Sequence, residues 1–60
     1  MTPAQEAVAK LEAVDENHPD EEMAHVEADR ILCEFIRAIG HADVADAFEA
    51  ARRRVGFWYA

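Results

Sequence analysis

The sequence predicts an all-α protein, a compact arrangement of three helices followed by an aromatic C-terminal tail. Three observations predict it. Apolar residues recur at three- and four-residue spacing along three segments, each giving one buried stripe. Proline stands at the start of the first two segments, Pro3 and Pro19, where a missing N–H costs nothing. Glycine stands after the second and third, Gly40 and Gly56, where a helix stop favours a left-handed residue.

The first helix is expected over residues 3–15. Thr2 can cap it, Pro3 suits its first position and Gln5 can complete a capping box. Ala4, Ala7, Val8, Leu11 and Val14 form its stripe, and Glu6 and Lys10 make an exposed i, i+4 pair. Asn17-His18-Pro19-Asp20 then interrupts it, because Pro19 disfavours helical geometry at His18. The second helix is expected over 19–39, with Asp20, Glu21 and Glu22 in a first turn where the helix dipole favours negative charge. At about 100° per residue, Ala24, Ala28, Ile31, Leu32, Phe35, Ile36 and Ile39 share one face, which makes this the central helix. The third is expected over 42–55, with Val44, Ala45, Phe48, Ala51 and Val55 in its stripe and Phe57-Trp58-Tyr59-Ala60 beyond it. Its short connection to the second helix makes an αα-hairpin of the two.

Sixty residues form a single domain, residues 1–60, and a chain of that length buries only about 60% of its unfolded surface. About half of the residues are hydrophobic, but many are alanines, so the core is thin. Met23, Val26 and Cys33 make a second apolar patch opposite the main stripe of the second helix, which the first helix or the tail would cover. Cys33 is the single cysteine. It permits no internal disulfide, and without the pattern of a signal peptide the expected location is a reducing cytoplasm. No apolar stretch approaches the roughly 18 to 20 residues of a membrane span.

Thirteen acids against six bases give a net charge of −7, and their distribution matters more than the total. Between Leu11 and Asp29 lie Glu12, Asp15, Glu16, Asp20, Glu21, Glu22, Glu27 and Asp29, without one lysine or arginine. Arg52, Arg53 and Arg54 stand together near the other end. Such a surface repels nucleic acid and attracts a basic protein. Helical spacing of about 1.5 Å per residue lets the acids imitate a row of phosphates. Trp58 and Tyr59 are candidate anchors, since these residue types dominate binding hot spots; a lid over the thin core is the simpler reading of the tail.

Nothing points to catalysis or to a cofactor. The chain holds no phosphate-cradling glycine loop and no nucleophile beside a base. Glu22, His25 and Asp29 share a helical flank, and Glu22-x-x-His25 has the spacing of di-iron bundles, but such sites need two of these motifs and carboxylates from four helices. Charge pairing explains the trio without a metal. Glu12-x-x-Asp15 is the one fragment like the metal-binding motifs of all-α nucleotide pyrophosphohydrolases, and the E-x-x-E that should accompany it is missing.

From Ala24 onward the chain resembles a group of very short proteins encoded by phages and prophages. The likeness rests on Ala24-His25-x-x-Ala28-Asp29-x-x-Leu32, the Gly40-His41 turn, Ala47-Phe48 and the closing Trp58-Tyr59-Ala60, a little over half of the chain. Phe57 departs from the lysine usual before that tryptophan. The resemblance implies a class of task rather than an activity: small acidic helical phage proteins, several anti-CRISPR proteins among them, inhibit host machinery. The expectation is an inhibitor that binds a basic nucleic-acid-handling protein, such as a CRISPR effector complex, and blocks DNA loading through acidic mimicry or steric wedging. A homo-oligomeric structural or accessory phage protein, joined as a homodimer through Met23, Val26 and Cys33, is the second expectation. A small transcriptional regulator is the third, with only Arg52 to Arg54 to offer DNA.

Overall fold

The computed structural model describes residues 1–14 and 20–56 of the chain. Among them it forms three helices and no strand: α1 is Pro3–Glu12, α2 Glu21–Ala38 and α3 Ala42–Val55. The start of α1 is the capping box expected from its first residues. The Gln5 N–H donates to Thr2 Oγ1 at 3.1 Å, and the Thr2 N–H donates back to Gln5 Oε1 at 2.9 Å. Glu12 ends α1 three residues earlier than the apolar spacing suggested, and the Ala13 N–H turns to the Lys10 carbonyl at 3.2 Å. A carboxylate in the last turn opposes the helix dipole, which weakens the end that Glu12 occupies.

The start of α2 differs in a similar way. Asp20 is the N-cap rather than a first-turn residue, and its Oδ1 accepts the Glu22 N–H at 2.9 Å and the Met23 N–H at 3.4 Å. A short carboxylate satisfies two of the orphan donors at a helix start, so the cap sets the boundary. Pro19, expected to open this helix, lies outside the described residues. At the other end the Gly40 N–H bonds the Arg37 carbonyl at 3.1 Å and the His41 N–H bonds the Ile36 carbonyl at 3.0 Å. This paired closure requires a positive φ, which Gly40 supplies at 94°. α3 keeps the expected limits and ends at Gly56 in the left-handed region, φ 71° and ψ 57°.

The helices lie side by side. α1 packs on one flank of α2 and α3 on the other, and α1 and α3 do not meet. Ile31 and Cys33 record this arrangement: two residues apart, they point roughly 200° apart around α2, and both are buried, at 3% and 6% exposure. The small residue Ala45, fully buried, brings α3 close. The Cα extents are 33 × 30 × 8 Å. Two stacked helix layers need 8–10 Å between axes alone, plus the width of the backbones, so the described chain is one helix thick.

A layer has two faces. The ion pairs define one of them. Lys10 bridges Glu6 at 3.2 Å and, across to α2, Glu34 at 3.6 Å; Arg30 pairs with both Glu27 and Glu34. On the other flank Arg37 holds Asp46 at 2.8 Å and Glu49 at 2.6 Å. Both cross-helix links start from the same side of α2, where Glu27, Arg30, Glu34 and Arg37 recur at three- and four-residue intervals. The opposite side carries Ala28, Leu32, Phe35 and Ile39. Val8 and Leu11 on α1, and Val44, Phe48 and Val55 on α3, lie turned away from the charged side by the same geometry. No described helix is long and apolar enough to cross a membrane.

Candidate functional site

The antiparallel neighbours of α2 decide where the charged residues gather. Arg37 meets Asp46 and Glu49 near the start of α3, and Lys10 near the end of α1 reaches back to Glu34. The end of α1, the start of α2 and the end of α3 therefore point the same way, but Lys10 lies beside Glu34 and Ala13 beside Glu27 and Arg30, so the first turns of α2 extend past α1. Asp20, Glu21 and Glu22 belong to those first turns, Glu27 and Asp29 to the middle of α2, and Glu12 to the end of α1. Asp15, Glu16, Trp58 and Tyr59, also expected at the site, lie outside the described residues.

The acids do not form a row along one face. Glu22 and Asp29, seven residues apart, project on nearly the same side of α2, toward α3, while Glu21 is turned about 100° from Glu22. Glu27 faces α1, is half-buried and is held by Arg30. Asp20 is occupied by the backbone of the first turn. That leaves Glu12, Glu21 and Glu22 exposed, with Asp29 half-buried, and none of the four forms an ion pair among the described residues. The three glutamates are the most available charges.

The basic groups are differently placed. Lys10, Arg30 and Arg37 are engaged by carboxylates, and each is held more firmly protonated by them: Lys10 chiefly through its hydrogen bond to Glu6, Arg30 through Glu27 and Arg37 through Asp46. Arg52, Arg53 and Arg54, distant in sequence from the acids, are carried by the α3 turnaround to the same end of the layer, on the flank away from α1. There they complement the α3 dipole. The end is thus acidic toward α1 and basic along the edge of α3.

Of the second apolar patch, Cys33 is buried under α3, while Met23 and Val26 stay 52% and 37% exposed. Over Cys33 the covering element is α3, where α1 or the tail was expected; the tail lies outside the described residues. Burial, seconded by the Glu49 carboxylate, pushes the Cys33 thiol up from its ordinary range. Among the described residues no three His, Cys, Asp or Glu side chains converge as a metal site. A hollow of about 350 Å³ opens at the joint of α1 and α2, lined by Ala9, Lys10, Ala13, Val14, Glu27, Arg30 and Ile31. Its charged members are the ones already tied into the ion-pair chain.

Comparison with family models, with curated proteins and with solved structures finds no match.

The periodicity of the sequence concealed a surface. The spacing predicts the stripes as core, yet Val8, Leu32, Ile39 and Val44 remain about half exposed, at 53%, 49%, 49% and 51%. The signal for this was the placement of alanine. Ala7 and Ala45 sit at the helix contacts, while the larger apolar side chains flank those contacts on one side.

Proposed function

We propose that this chain is a non-enzymatic inhibitor of phage type, which binds a basic nucleic-acid-handling protein of its bacterial host through its acidic end. The observation that carries this reading is the base-free run of acids from Glu12 to Asp29. Its exposed members are Glu12 at the end of α1 and Glu21 and Glu22 at the start of α2. Such a set of charges meets a channel built to hold phosphates with the right sign of charge, and it steers association at long range. A CRISPR effector complex is the partner class that the likeness to short phage proteins suggests, and occupation of its channel would exclude target DNA. Trp58 and Tyr59 are the proposed apolar anchors.

The test is charge reversal with the helix cap left intact. Glu12→Lys, Glu21→Lys and Glu22→Lys together should abolish inhibition of DNA loading by a purified effector complex while the helical circular dichroism is retained. A folded triple variant that inhibits as the parent does would remove the electrostatic mechanism. Asp20 is unsuitable for this purpose, since its loss would unravel the first turn of α2.

A further inference from the structure

We infer that the open apolar face of the helix layer is where two copies of this chain pair, face to face. A helix with one apolar stripe needs a second layer over it, which is why domains are built of two packed layers. Here the three stripes converge on one side of a structure only 8 Å thick. The described chain supplies no second layer.

Three observations select a second copy as the occupant. The first is area. Helices of 10, 18 and 14 residues, at about 1.5 Å per residue and each roughly 10 Å wide, present about 630 Å² per copy, or about 1,260 Å² for two copies, within the roughly 1,200–2,000 Å² of a specific interface. The second is shape, because a flat face is self-complementary and suits the two-fold, isologous contact of most homodimers. The third is charge. From Arg30 to Ile39 no charged side chain lies on the apolar side of α2, and the Lys10, Arg30 and Arg37 networks all lie on the reverse. Over that stretch two copies with a net charge of −7 each therefore meet without opposing acids, Asp29 being turned toward α3. A head-to-tail pairing also keeps their acidic ends apart.

Sedimentation equilibrium of the full chain from micromolar to millimolar concentration is expected to show twice the 6.7 kDa chain mass. A mass of one chain throughout would overturn the pairing. Leu32→Glu and Val44→Glu should each raise the dissociation constant by about a hundredfold or more, since a carboxylate would be buried without a partner. Met23→Glu, away from the apolar face, should leave it within about threefold. The reverse ranking would place the contact elsewhere and overturn the proposal. Where a variant loses its helices, the wild type decides through isotope-filtered NOEs between labelled and unlabelled copies. Intermolecular NOEs are expected at the Leu32, Ile39 and Val44 methyls. Contacts from these methyls only to Phe57, Trp58 or Tyr59 of the same copy would contradict it.

Discussion

At the scale of single residues, very few side chains hold the layer together, and each is correspondingly sensitive. Ile31 and Ala45 are the clearest cases, one closing α2 against α1 and the other α2 against α3. Ala45→Leu is expected to destabilise the fold by about 1–3 kcal/mol through overpacking, whereas Ala47→Leu, at an exposed position, should stay within about 0.5 kcal/mol. Urea unfolding of the two variants checks this, and equal midpoints would show that α3 does not seat on Ala45. Cys33 offers a second probe. Its thiol is raised from an ordinary value near 9.0 by burial first and by Glu49 second, so the unfolded chain ionises more readily than the folded one. The resulting stability is intact below pH 9 and declines as pH rises toward the raised value. At pH 8 iodoacetamide should label native Cys33 roughly tenfold or more slower than the urea-unfolded chain; equal rates would mean that the joint of α2 and α3 is open. The sequence made Cys33 a small buried hydrophobe, which it is. It could not say that α3 would cover it, because periodicity assigns a face and not a neighbour.

At the scale of elements, local chemistry near the chain carried most of the information. Thr2 and Gln5 form the box their spacing implies, Gly40 and Gly56 take positive φ, and α3 runs over the expected residues. The differing boundaries have local causes too. The sequence predicts Asp20 as a favourable first-turn charge, whereas it is the cap itself, and apolar spacing says nothing about the terminal carbonyls at the end of α1, which falls at Glu12. Asp20→Ala is therefore expected to cost about 0.5–2 kcal/mol and to accelerate amide exchange at Glu22 and Met23. Glu21→Gln, which leaves both cap bonds in place, should alter neither. Faster exchange in both variants alike would show that charge rather than the cap fixes this boundary. The cross-helix bonds of Lys10 to Glu34 and of Arg37 to Asp46 and Glu49 were not legible at all, since they depend on which flank of α2 each neighbour takes. Exposed pairs of this kind contribute little stability individually. Their alignment on one side of α2 is what leaves the other side apolar.

At the scale of the whole molecule, charge and apolar surface are segregated: ion pairs on one face, apolar side chains on the other, and exposed glutamates at the end of α1 and the start of α2. The acidic run was visible in the sequence, but its shape was not. Folding turns the carboxylates to several sides of α2, gives Glu27 to Arg30 and Asp20 to the backbone, and brings Arg52 to Arg54 to the same end. The electrostatic reading consequently rests on Glu12, Glu21 and Glu22, and it is most directly tested by titrating a purified CRISPR effector complex with the wild-type chain and with a Glu12→Gln, Glu21→Gln, Glu22→Gln variant at low and high salt. Removing three exposed charges from the contact should weaken binding about tenfold or more at low salt, with the difference shrinking as salt screens the field. Equal affinity of the two proteins at every salt concentration, or no binding by either, would contradict the account.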